Sequence, residues 1–224
     1  MSSDVKSIIA RHDPAHWNRS LSYRTKAALP YDPSQAAQSA PLLFDATVYI
    51  DHLKGGLPAS IVNLVASRVI LHGAPALAEL AVTVGALDPL DTRTNNTLKP
   101  IVEILERISP QRIIVPSHDA WLEAAVLAGI LARTQGLPRT DRCKLLSDAL
   151  LFLMAAESRS IMISRNSRDF DLLLQMKPSV MVLLYEKASP VLVCPLSPRP
   201  PVTKPCGARL TGQGRPPTIG AQRS

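Results

Sequence analysis

The sequence has only three cysteines, Cys143, Cys194 and Cys206, an odd number without metal-ligand spacing. It therefore carries no disulfide framework, and a reducing compartment is expected. Long hydrophobic runs are also missing. The best uncharged apolar stretch, residues 149–156, is far shorter than a bilayer requires, so no membrane span is expected. The opening Met1-Ser2-Ser3-Asp4 shows neither the basic region nor the apolar stretch of a signal peptide, and a cytoplasmic protein is expected. No Gly-rich phosphate loop occurs, and no serine or cysteine stands in a nucleophile signature. The five histidines are scattered. Only His12 and His16 have helical ligand spacing, and they flank Pro14, so a zinc site is not expected.

What is present is enough apolar material for one substantial core. Of 224 residues, 46% are hydrophobic, which excludes wholesale disorder. The net charge of +7 is unevenly spread. Residues 1–40 carry five Lys/Arg and three Asp/Glu, and residues 187–224 carry six bases and no acid. Residues 41–186 hold fourteen bases and fifteen acids, leaving the body at −1. The basicity thus lies in the arms. From residue 190 onward eight prolines and four glycines show no apolar periodicity, which reads as an extended or disordered tail. Three segments follow: an N-terminal extension over 1–40, a folded body over 41–186, and a basic Pro-rich tail over 187–224. A short helix is expected near residues 5–11, with Trp17 anchoring the extension to the body.

Within the body, short apolar runs alternate with amphipathic stretches. Strands are predicted over 42–44, 69–71, 113–115, 161–164 and 180–185. Helices are predicted over 48–53, 61–68, 75–84, 94–108, from Ser117 to near Gly136, from Thr140 to Glu157, and over 169–175. Pro75 suits a first helical turn, while Ser117 and Thr140 are candidate caps. Trp121, in an apolar helix, is expected in the core. Strands separated by helices predict an α/β fold of three α/β/α layers around a mostly parallel sheet. In such sheets the working site lies beyond the carboxyl ends of the strands.

Three acids stand alone in apolar stretches. Asp45 is the only charged residue between Asp32 and Asp51, Glu79 between Arg68 and Asp88, and Asp148 between Lys144 and Glu157. Isolated carboxylates among apolar residues are costly without a partner, a hydrogen bond or a metal. Asp148 has one local candidate partner, Lys144 at i−4. Asp45 follows the first strand and so falls on the expected rim. If the helices bearing Glu79 and Asp148 cross that rim, three carboxylates converge there. A divalent cation relieves such mutual repulsion, and an all-oxygen donor set suits Mg²⁺ or Mn²⁺.

These segments resemble a known family. Leu42-Leu43-Phe44-Asp45-Ala46-Thr47-Val48-Tyr49-Ile50-Asp51 is similar to the opening strand and first acid of PIN-domain ribonucleases, particularly VapC-type toxins. Ala76-Leu77-Ala78-Glu79-Leu80 resembles the helix bearing that family's glutamate, and Leu146-Ser147-Asp148-Ala149-Leu150 its third acidic motif. The run from Ile161 to Phe170 resembles the strand and turn of the fourth polar position, for which Asn166 and Asp169 are both candidates. Arg165 and Arg168 are candidate partners of Asp169. The likeness spans about 41–186, with the four segments in the family's order. Ala46 stands where the family usually has a hydroxyl residue, and Thr47 is the nearest one.

The resemblance implies metal-dependent hydrolysis of RNA phosphodiesters by the toxin of a toxin–antitoxin pair. Asp45 and Asp148 would be the main Mg²⁺ ligands, with Glu79 and Asp169 or Asn166 holding ligand waters or a second ion. Glu79 would also help deprotonate the attacking water. A homodimer and a protein antitoxin are the implied partners. The rival reading is a non-catalytic RNA-binding or partner-binding protein on a degenerate PIN scaffold, with the basic tail as the RNA contact.

Overall fold

Three strands read in the sequence as unbroken apolar runs, and burial on both faces is what such runs require. In a computed structural model, which describes residues 5–35 and 39–188, β1 (Leu42–Phe44), β4 (Ile161–Ser164) and β5 (Val182–Leu184) are buried throughout. The less covered β2 (Ile70–Gly73) and β3 (Ile113–Ile114) complete a five-stranded sheet in the order β3-β2-β1-β4-β5. Every pairing is parallel, with Phe44 beside His72 on one side and Ile163 on the other. The fold is therefore the expected α/β class.

The connecting helices are α2 (Ala46–Leu53), α3 (Ala59–Ala66), α4 (Ala74–Ala86), α5 (Thr94–Arg107), α6 (His118–Thr134), α7 (Arg139–Glu157) and α8 (Ser167–Met176). The chain builds outward from β1 to β3, then returns to add β4 and β5 on the opposite side. With right-handed crossovers, that reversal puts α2–α5 on one face and α6–α8 on the other. It also creates a crevice between the carboxyl ends of β1 and β4, the usual position of a site in such sheets.

Local chemistry explains the element ends. Ser117 caps α6, its Oγ accepting from Ala120 N at 3.0 Å. Gly136 closes α6 with φ at +64°, a conformation that glycine adopts without steric cost. Thr140, expected as a cap, lies inside α7. Pro138 takes the N-cap position, since its fixed φ suits the extended backbone there. Trp121 departs from expectation too. It is 48% exposed, because α6 turns Ala120, Ala124, Leu127 and Leu131 to the core and leaves Trp121 on its outer side. At Gly73 an added Cβ would come within 2.6 Å of Leu151 Cδ2, so the missing side chain lets α7 seat against the end of β2.

Residues before the first strand are held to this body by side chains. The helix α1 (Val5–His12) buries Ile8 and His12, and His12 Nε2 meets Glu123 Oε1 at 2.7 Å. Arg133 donates to the carbonyls of Pro14 and Trp17, both at 2.9 Å, and Trp17 packs on the core as anticipated. Arg24 Nε and backbone N–H both reach the buried Asp171. No helix among the described residues is long and apolar enough to cross a membrane. The expected disorder of the Pro-rich tail concerns residues that lie almost wholly outside those described.

Candidate functional site

The chain leaves β1 at Phe44 and places Asp45 before the first turn of α2, buried at 2% exposure. Its carboxylate does not cap that helix. Instead Oδ2 accepts from two hydroxyls, Thr47 Oγ1 and Ser164 Oγ, each at 2.6 Å. Ser164 ends β4, so this contact spans the crevice between the two central strands. Ser164 Oγ also accepts from Asn166 N at 2.9 Å, and Thr47 Oγ1 accepts from Arg165 N at 3.2 Å. The loops following β1 and β4 are thereby tied together around Asp45.

Asn166 carries the network onward. It caps α8, its Oδ1 accepting from Asp169 N at 3.4 Å. Its Nδ2 donates to Asp148 Oδ2 at 3.0 Å and to Asp169 Oδ2 at 2.7 Å. Asp148 projects from α7 and is 2% exposed. Glu79, half-buried on α4, accepts from Ser147 Oγ at 2.5 Å, and Ser147 directly precedes Asp148. All five residues singled out from the sequence thus meet: Asp45, Asp148, Asn166 and Asp169 in one hydrogen-bonded chain, and Glu79 beside it through Ser147.

The electrostatics follow from this crowding. Burial pushes the Asp148 carboxyl well above its ordinary range, and the neighbouring Asp45 and Asp169 charges push it further. Burial also raises Glu79. Asp45 adds to that rise, against the Ser147 hydrogen bond and the Lys144 charge. Burial would lower the Lys144 ammonium, but Asp169, Asp148 and Asp45 together outweigh it and hold it up.

Three expected partnerships are replaced. Lys144 pairs with Asp169 at 3.4 Å instead of Asp148, because Asp148 is turned inward toward Asn166. Arg165 turns from Asp169 to the buried Asp51, with Nε 2.7 Å from Oδ2, where Tyr185 Oη also donates at 3.0 Å. Arg168 lies over the Tyr23 ring, 5.1 Å from its centroid. Ser164, Ser147 and the Asp51–Tyr185 pair were missed in the sequence. Only Ser164 carried a signal there, as the single polar residue closing an apolar strand.

The donor chemistry fits a hard divalent cation. Every candidate ligand atom is oxygen, and among the described residues the buried Asp148 has no cation at contact distance. Among the described residues, no group of three or more His, Cys, Asp or Glu side chains is assembled to hold a metal ion. The Asn166 amide stands between Asp148 and Asp169, bonded to both.

Neither protein-family models nor curated proteins match this chain. Among solved structures, FitAcB from Neisseria gonorrhoeae is similar at 19% identity and a TM-score of 0.44, covering 63% of this chain and 96% of that one. VapBC2 from Rickettsia felis, bound to a DNA fragment from their promoter, is similar at 14% identity and a TM-score of 0.45, covering 65% and 98%. VapBC-1 from nontypeable Haemophilus influenzae is similar at 16% identity and 0.43, covering 65% and 96%.

Proposed function

We propose that this chain is a Mg²⁺-dependent endoribonuclease of the PIN type, acting as the toxin of a toxin–antitoxin pair. The observation that carries the reading is the meeting of Asp45, Asp148 and Asp169 at the carboxyl ends of β1 and β4, linked through Ser164 and Asn166. Three of the four sequence segments resembling the family's motifs contribute these residues in the expected order, and the fourth brings Glu79 beside them through Ser147. A cytoplasmic setting, a protein antitoxin and a homodimer belong to the same reading.

In this reading Asp45 and Asp148 are the principal ligands, with Glu79 and Asp169 beside them. Both hydroxyl donors to Asp45 fall on Oδ2, which fixes the carboxylate and leaves Oδ1 for a ligand. When bound, Mg²⁺ supplies a water of lowered pKa and neutralises charge on the scissile phosphate. Glu79, with its affinity for a proton raised by burial, is suited to accept one from that water. Lys144 offers a cation beside the carboxylates for the phosphate backbone.

One observation favours the non-catalytic alternative: the Asn166 amide and the Lys144 ammonium already satisfy Asp148 and Asp169 without a metal. Incubating the purified chain with RNA, with and without Mg²⁺, separates the two. Metal-dependent cleavage that Asp148→Asn abolishes supports the nuclease, and RNA binding with no cleavage at any metal concentration overturns it.

A further inference from the structure

Asp45 shares the carboxyl edge of the sheet with a second feature. Ala74 directly follows β2 and Pro116 stands two residues beyond β3, and both line a cavity of about 590 Å³, within the usual range of ligand sites. Pro75, Ala78 and Val82 of α4 contribute to its wall, with Trp121 of α6 and Leu146 of α7. These side chains reach solvent. Val82 is 69% and Trp121 48% exposed, and of the residues lining the cavity only Leu150 is buried. Exposed apolar side chains gathered in a concavity mark a binding surface. The Trp121 indole itself has no hydrogen bond or ring contact among the described residues.

The cavity is continuous with the carboxylate network. Glu79, Ser147 and Lys144 line it as well, and Ser147, bonded to Glu79, directly precedes Asp148. Lys144 is exposed and its Nζ lies 3.4 Å from Asp169 Oδ2, so the ammonium stands where the apolar groove joins the carboxylates. A second exposed cation on the same helix, Arg142, lines an adjoining hollow that shares Leu146 with the cavity. The groove is thus apolar within, cationic along its α7 flank, and open at one end to the network.

We propose that Trp121 is a stacking platform for an unpaired base of the RNA strand, the adjoining phosphate lying beside Lys144. The proposal takes its substrate from the nuclease reading, but it needs neither the metal nor cleavage. A nucleotide joins a flat ring to an anion, and the groove joins an exposed indole to a cation at its mouth. Aromatic side chains flanked by cations are the usual means of holding single strands, because every base has a π-face. Duplex bases stay stacked on one another and cannot use such a platform. A helical peptide seated on the same apolar side chains would have no use for Lys144 beside them.

Fluorescence anisotropy of fluorescein-labelled hexaadenylate RNA with the full chain in EDTA provides the test. Trp121→Ala is expected to weaken binding about tenfold, the scale of one lost base stack, and Trp121→Phe less, since a ring remains. Because no phosphate contact is lost, the salt slope should be unchanged in Trp121→Ala, whereas Lys144→Gln should flatten it by about 0.7. An abasic chain of the same length and charge should bind wild type and Trp121→Ala alike, a coupling between base and indole that a merely structural role would not produce. Circular dichroism confirms that each variant folds. Absence of RNA binding to the wild-type chain would overturn the proposal. So would hexaadenylate affinity unchanged in Trp121→Ala, the result expected if the groove serves a protein partner, or an equal loss for hexaadenylate and the abasic chain. Trp121-dependent binding without Mg²⁺-dependent cleavage supports the platform and overturns the nuclease, and cleavage with Trp121-independent binding does the reverse.

Discussion

Ser164 Oγ donates to Asp45 Oδ2 at 2.6 Å across the line where the sheet reverses its direction of growth. The two residues are 119 positions apart; Ser164 ends β4, and Asp45 directly follows β1. The contact makes the carboxylate at the crevice a property of strand pairing, because β1 and β4 must be in register for it to form. Removing the hydroxyl with Ser164→Ala leaves Asp45 only Thr47 as a hydroxyl donor and strips Asn166 N of its acceptor. Ser164 is fully buried, so a loss of about 1–3 kcal/mol is expected in urea denaturation. An unchanged midpoint would show that the bond contributes nothing.

Asp148 should make stability fall as pH rises. Its folded pKa lies above the unfolded value, so the protonated form is favoured in the native state. The associated stabilisation is complete below the unfolded value of 3.8 and is lost as pH rises through the folded pKa. Glu79 is shifted in the same direction and adds to the trend. Thermal melts of wild type and Asp148→Asn across this range should therefore diverge, with the variant more stable at neutral pH and flatter in its profile. Parallel profiles would refute the buried-charge account.

Nuclease activity should respond in the opposite sense. Asp45→Asn and Asp148→Asn each keep a side chain of the same shape but remove a ligand charge. Cleavage is expected to drop at least about a hundredfold in either variant, the scale at which lost electrostatic stabilisation registers in an active site. Glu79→Gln should be impaired less. Full Mg²⁺-dependent cleavage by the doubly substituted protein would remove these residues from the site.

The fourth position can be resolved by titration. Asp169 brings a charge, whereas Asn166 reaches both aspartates through its amide N–H groups. Asp169→Asn should therefore weaken apparent Mg²⁺ affinity more than Asn166→Ala, and the reverse order would assign the role to Asn166.

At the other end of the molecule, Glu123 joins the N-terminal helix to the body. Burial would raise its carboxyl, but hydrogen bonds from His12 and Lys177 prevail and hold it down at about 2. The stabilisation from a depressed carboxylate is present above the unfolded value of 4.5 and is lost as pH falls toward 2. Glu123→Gln is expected to cost about 1.5–3 kcal/mol at neutral pH, since it weakens the charge-assisted hydrogen bonds from Arg11 and Lys177, and to lessen the loss on acidification. Chemical denaturation at neutral and acidic pH checks both.

The tail supplies a test that depends on charge alone. Residues 189–224 carry five bases and no acid. If they contact RNA, truncation after Ala188 should weaken binding and flatten its salt dependence by about 0.7 in log–log slope per lost phosphate contact on a single strand. Identical slopes for both proteins would assign the tail no part in RNA binding.

The sequence by itself determined the class of fold and marked the carboxylates that the structure brings together. Unbroken apolar runs such as Leu42-Leu43-Phe44 force a strand covered on both faces, and alternation with amphipathic stretches forces parallel pairing. The solitary positions of Asp45, Glu79 and Asp148 marked them because a lone charge among apolar neighbours needs a partner from elsewhere in the chain. Which partner each found was decided by tertiary structure alone. Lys144 is one helical turn from Asp148 yet pairs with Asp169, and Arg165 reaches Asp51 on another element. Spacing along a helix fixes which residues share a face. It does not fix which distant strand end or loop that face meets, and so Ser164, Asn166 and Tyr185 took their places through the pairing and crossing of β1, β4 and β5.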